Sequence, residues 1–99
     1  VFQLVQDLAE LWGLDRNTAA RLTDNVPFEE ATLLKLNCDK ALAYLDWHST
    51  LHYEECVHFI ADWYKAFYTD ANVDMYSLTT AQIDSYVRAA GAQHLKWAE

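Results

Sequence analysis

Ninety-nine residues with 15 Asp and Glu against seven Lys and Arg, a formal charge of −8, make one acidic domain at most. That balance excludes broad binding to a phosphate backbone, which needs clustered positive charge, so no nucleic-acid partner is expected. The 53% apolar content suffices for a core, yet no unbroken run approaches a bilayer span and no basic-then-apolar leader is read, so a soluble, cytoplasmic chain without a membrane partner is expected.

Two Gly and one Pro provide little turn chemistry, which favours helices. Phe2, Val5, Leu8, Ala9 and Trp12 form the stripe of an amphipathic helix, with Gln6, Asp7 and Glu10 facing water. Gly13 is its natural stop. The helical pattern is already running at Val1, with no cap residue and no initiator Met, so the chain is expected to be part of a longer polypeptide.

Leu14 to Glu30 reads as an ordered loop. Asp15 and Asn17 are turn residues, Ala19 to Thr23 form a short strand or helical turn, and Pro27 biases Val26 toward an extended shape. Leu33, Leu34 and Leu36, broken by Lys35, read as a short strand. Asn37 then caps a helix whose buried face is Cys38, Ala41, Leu42 and Leu45, and Trp47 folds back against it.

After a connector from His48 to His52, the spacing of Tyr53, Val57, Ile60, Ala61, Tyr64 and Tyr68 predicts a long helix. On its other side, Glu54 with His58 and Asp62 with Lys65 are spaced to pair. Thr69 to Leu78 reads as a second connector. Thr79 and Gln82 fit a capping box for a helix with the stripe Ile83, Tyr86, Val87 and Ala90, ended by Gly91. Leu95 and Trp97 suggest that the tail docks. Cys38 and Cys56 read as buried free thiols of a reducing compartment.

None of the reactive side chains assembles a catalytic set. His52 and Cys56 have a spacing that zinc sites use, but His48 precedes the helix and His58 points elsewhere on it, so no metal site is expected. The same two residues, read as a nucleophile and its base, lack oxyanion donors. Asp70, Asn72 and Asp74 begin like a calcium loop, but Met75 and Ala81 stand where such a loop needs Gly and Glu. A glycine-rich dinucleotide turn is missing, and no Tyr is followed four residues later by Lys.

Three stretches nevertheless resemble a known family. Glu30-Ala31, then Leu33-Leu34-Lys35-Leu36-Asn37-Cys38-Asp39-Lys40-Ala41, then Leu45 and Trp47, are similar to the C-terminal lobe of CDP-glucose 4,6-dehydratases of the extended short-chain dehydrogenase/reductase superfamily. Ala61 to Tyr68 resembles that group's Trp-Tyr-Lys helix. Met75-Tyr76, Leu78-Thr79 and Gln82 to Tyr86 resemble its closing segment.

The resemblance implies an α/β parent with a Rossmann-type NAD-binding domain, in which residues 1–99 are a single, mostly helical substrate-binding lobe with one or two short strands. The parent would oxidise C4 of a nucleotide-bound hexose, eliminate water across C5 and C6, and return the hydride to C6. Its implied partners are a nucleotide-sugar, most closely a CDP-hexose, the NAD-binding domain, and further copies of itself. Catalytic residues and NAD contacts would lie outside this segment, whose own share would be a wall of the substrate pocket. Arg21, Glu30 and Lys35 are the candidate substrate-binding residues: Arg21 for a diphosphate, Glu30 from the matching Glu-Ala pair, and Lys35 on the face opposite Leu34 and Leu36. Two rival readings are a non-catalytic helical protein-interaction module and a small metal-binding domain using His48, His52 and Cys56.

Overall fold

Each helix boundary follows from a particular end residue. In the computed structural model, which describes residues 1–21 and 36–98, α1 spans Phe2–Trp12 as its apolar stripe requires. It stops where Gly13 turns left-handed (φ 82°) and donates its amide to the Ala9 and Glu10 carbonyls. Arg16 is brought back toward the helix by a turn in which the Asn17 amide donates to Asp15 Oδ1 at 2.9 Å.

Leu33, Leu34 and Lys35 of the expected strand lie outside the described residues, as do Glu30, Leu22 and Thr23. Leu36 is almost fully exposed and belongs to no strand. Among the described residues the fold is helical, without strands.

α2 spans Asp39–Leu45 with Cys38, not Asn37, at its N-cap; the Asn37 side-chain oxygen, one residue earlier, still accepts from the Asp39 amide at 2.6 Å. The expected buried face of α2 is a correction. Leu42 and Leu45 are exposed, Cys38 is exposed, and Ala41 is half-buried. The reason is local: α2 has two turns and makes no extended contact with another described helix. Trp47 was expected to fold back against α2; its backbone amide does reach the Ala41 carbonyl at 3.4 Å, but the side chain is 39% exposed and is not a buried anchor.

α3 spans Tyr53–Thr69, as its spacing predicts. Glu55 reaches back to accept from the His52 amide at 2.7 Å, closing its first turn. The expected Glu54–His58 and Asp62–Lys65 pairs do not form; Lys65 instead donates to the Leu11 carbonyl at the end of α1, at 3.2 Å. There it meets the negative end of that helix.

α4 begins earlier and ends later than its sequence suggests, spanning Met75–Ala92. Asp74, not Thr79, caps it, accepting from the Tyr76 amide at 3.1 Å and from the Ser77 hydroxyl. Asp is at least as good a cap as Thr, and nothing between Met75 and Leu78 breaks a helix. Gly91 lies inside the helix, and the left-handed residue after it is His94 (φ 55°). The tail docks as expected: the Leu95 amide bonds the Ala90 carbonyl at 3.1 Å, and Trp97, in a 3-10 turn over Lys96–Ala98, stacks on Tyr86 at 5.6 Å.

α1 and α4 both pack on α3, and among the described residues the buried apolar side chains are Ala9, Val57, Ala61 and Ala90. The described residues form a flat arrangement with extents of 49 × 42 × 18 Å. Much of the α3 stripe stays open: Val57 and Ala61 are covered while Ile60, Tyr64 and Tyr68 are 43%, 46% and 70% exposed. No described helix is long and apolar enough to cross a membrane.

Candidate functional site

A cleft of about 470 Å³ lies between α1 and α3, lined by Gln3, Asp7, Glu10, Arg16, Tyr53, Glu54 and His58 together with Leu11 and Val57. Asp7 is its hub. The Tyr53 hydroxyl donates to Asp7 Oδ2 at 2.8 Å, while Arg16 holds Asp7 Oδ1 at 3.3 Å and Glu10 at 3.2 Å. Asp7 and Glu10 are spaced one helical turn apart, which lets a single guanidinium span both.

The hydrogen bond to Asp7 holds the Tyr53 phenol above its ordinary range, with burial and the carboxylate's charge adding to the push. Carboxylates outnumber cations here, so the cleft suits hydroxyl-bearing or cationic groups better than anions. Its acceptors (Asp7, Glu10, Glu54) and donors (Arg16, Tyr53, Gln3) match what a polyol offers in return.

A second opening of about 300 Å³ lies where the α2–α3 connector meets the tail, lined by Trp47, His48, His94, Lys96 and Trp97. Lys96 bonds Asp46, and that bond holds the Asp46 carboxyl below its ordinary range, with the charges of Lys96 and His48 contributing. Asp46 itself is left-handed (φ 52°) and exposed. Gln93 ties the same corner down by donating to the Thr50 carbonyl at 2.8 Å.

Of the residues singled out in sequence, Arg21 is exposed and does not line the cleft. Glu30 and Lys35 lie outside the described residues. Cys38 is exposed, against the expectation of burial, and Cys56 is half-buried; both are free thiols. Among the described residues no group of three or more His, Cys, Asp or Glu gathers as for a metal ion.

Sequence reasoning missed the cleft itself. Asp7 and Glu10 were expected to face water and Tyr53 to fill the core, whereas Asp7 is half-buried against α3 and Tyr53 is 47% exposed. The available signal was Asp7, Glu10 and Arg16 on either side of a glycine stop, which turns the arginine back onto its own helix. Comparison with protein-family models, with curated proteins and with solved structures found no match.

Proposed function

We infer that this chain is the helical substrate-binding lobe of an NAD-dependent nucleotide-sugar 4,6-dehydratase, most closely a CDP-glucose 4,6-dehydratase. The observation that carries the reading is the junction of α3 and α4. Trp63, from the Trp-Tyr-Lys stretch that resembles the family, donates its indole N–H to Thr79 at 2.8 Å, and Gln82 donates to the Phe59 carbonyl at 2.9 Å. Thr79 and Gln82 belong to the closing stretch of the same resemblance. Two stretches similar to one family in order are thus joined through the residues that carry the similarity.

In this reading the hydride chemistry and NAD belong to a Rossmann-type domain that works with this lobe, and the lobe alone has no turnover. The cleft of Asp7, Glu10, Arg16 and Tyr53 supports the reading through its donors and acceptors for sugar hydroxyls. Holding a large substrate across two lobes fixes the reacting carbon against the cofactor. Arg21, Glu30 and Lys35 remain the proposed contacts to the nucleotide-sugar.

The test is steady-state kinetics of the native polypeptide with CDP-glucose and NAD, comparing Arg21→Ala, Glu30→Gln and Lys35→Ala with the parent. Removing wall contacts raises KM with little change in kcat. Native polypeptide that binds no nucleotide hexose overturns the reading.

A second reading, a non-catalytic helical interaction module, draws support from the open apolar side of α3 and α4.

A further inference from the structure

We propose that the open face of the α3–α4 pair is a homodimer interface, occupied by the same face of a second copy of this chain. It stands on surface chemistry and is independent of the enzyme reading. Two shallow openings, of about 310 and 230 Å³, share Phe59 and Gln82 and so form one groove along the pair. Ile60, Trp63 and Tyr64 line it from α3, and Ile83 and Tyr86 from α4; among the described residues no charged side chain lines it.

The area fits a two-fold contact. Ile60, Tyr64, Phe67, Tyr68, Ile83 and Val87 are 40–70% exposed. At about 150–250 Å² per large side chain they present roughly 700 Å² of mostly apolar surface, near the 800 Å² per partner of a standard interface. The patch also exceeds what a monomer ordinarily leaves to water.

Its shape is ridged. Trp63 stacks along the helix on Phe67 at 5.5 Å and Tyr64 on Tyr68 at 6.3 Å, giving two parallel rows of rings. An isologous contact sets each row into the furrow between the rows of the other copy. Glu54, Glu55 and Asp62 lie on other sides of α3 by helical spacing, so the two acidic chains meet through their uncharged strip.

That charge arrangement yields a distinctive expectation. Each copy carries −8, so long-range repulsion opposes pairing while the contact itself contains no ion pair to screen. The dimer therefore tightens as salt rises from about 0.05 to 0.5 M, the reverse of an ion-paired interface.

Sedimentation equilibrium of the 99-residue chain tests this, with Tyr64→Lys and Ile83→Lys as interface variants and Tyr44→Lys, exposed on α2, as the control. Far-UV circular dichroism verifies that each stays helical. The expected result is a monomer–dimer equilibrium that strengthens with salt, weakened at least tenfold by each interface variant and unmoved by the control. A monomer at every concentration, a ladder of larger species, or a dimer indifferent to both interface variants overturns the proposal.

Discussion

The indole N–H of Trp63 donates to the Thr79 hydroxyl at 2.8 Å across the α3–α4 junction, in a partly buried setting. With Gln82 on the Phe59 carbonyl, it fixes the angle and register of two helices whose buried contact is otherwise small. Thr79→Val leaves the indole without its acceptor. The expected cost is about 1–2 kcal/mol. At roughly 4–8 °C per kcal/mol for a domain of this size, melting followed by circular dichroism resolves it. Trp63→Phe and the double variant complete a cycle, and a coupling near zero contradicts the role assigned to the pair.

Thr50 gives the opposite sign. It is 1% exposed, and among the described residues its hydroxyl finds no hydrogen-bond partner, although its carbonyl is held by Gln93. Replacing the hydroxyl with a methyl group of similar volume removes a buried unpaired dipole. Thr50→Val is therefore expected to stabilise the chain by about 1 kcal/mol. Urea unfolding checks the sign: an unchanged or lower midpoint contradicts it.

Much of this could be read in the sequence, and the failures have physical causes. α1 and α3 have strong helical spacing and clear ends, and both form where expected. The start of α4 was misplaced because Thr79-Thr80-Ala81-Gln82 has the pattern of a capping box, while Asp74 lies in a stretch that also looks like a polar loop. Both capping-box residues were drawn into tertiary hydrogen bonds, which local pattern does not encode. The face of α2 expected to be buried is exposed, because burial depends on a neighbour rather than on the spacing within the helix. The cleft depends on contacts 46 residues apart in sequence between Asp7 and Tyr53, beyond the reach of any periodicity.

Gly13 tests a purely backbone effect. Its φ of 82° is left-handed, and a Cβ placed there meets nothing within 4 Å. Gly13→Ala consequently probes conformation without a clash, at an expected cost of about 1–2 kcal/mol. Gly13→Asn, which tolerates this region, costs less. Equal melting temperatures for the Ala variant and the parent contradict the assignment.

The pH dependence has a definite sign at each end. Asp46 is held below its ordinary 3.8 by the bond from Lys96, and Asp74 by the bond from the Ser77 hydroxyl. On acidification the unfolded chain takes up these protons first, so their stabilisation is present above 3.8 and lost as pH falls below it. Tyr53 is held above its ordinary 10.0 by Asp7. The unfolded chain loses that proton first, so this contribution is present below 10.0 and lost as pH rises beyond it. Urea midpoints across pH should show a shallower acid limb in Asp46→Asn and Asp74→Asn, and a shallower alkaline limb in Tyr53→Phe. Limbs identical to the parent contradict these assignments.

The central claim, a substrate lobe of a nucleotide-sugar dehydratase, is tested most directly by incubating the native polypeptide with CDP-glucose and NAD and analysing the product by mass spectrometry. The expected product is a sugar nucleotide lighter by one water, formed without net consumption of NAD because the hydride taken from C4 returns to C6. Unchanged CDP-glucose and unchanged UDP-, GDP- and dTDP-hexoses under the same conditions would contradict it.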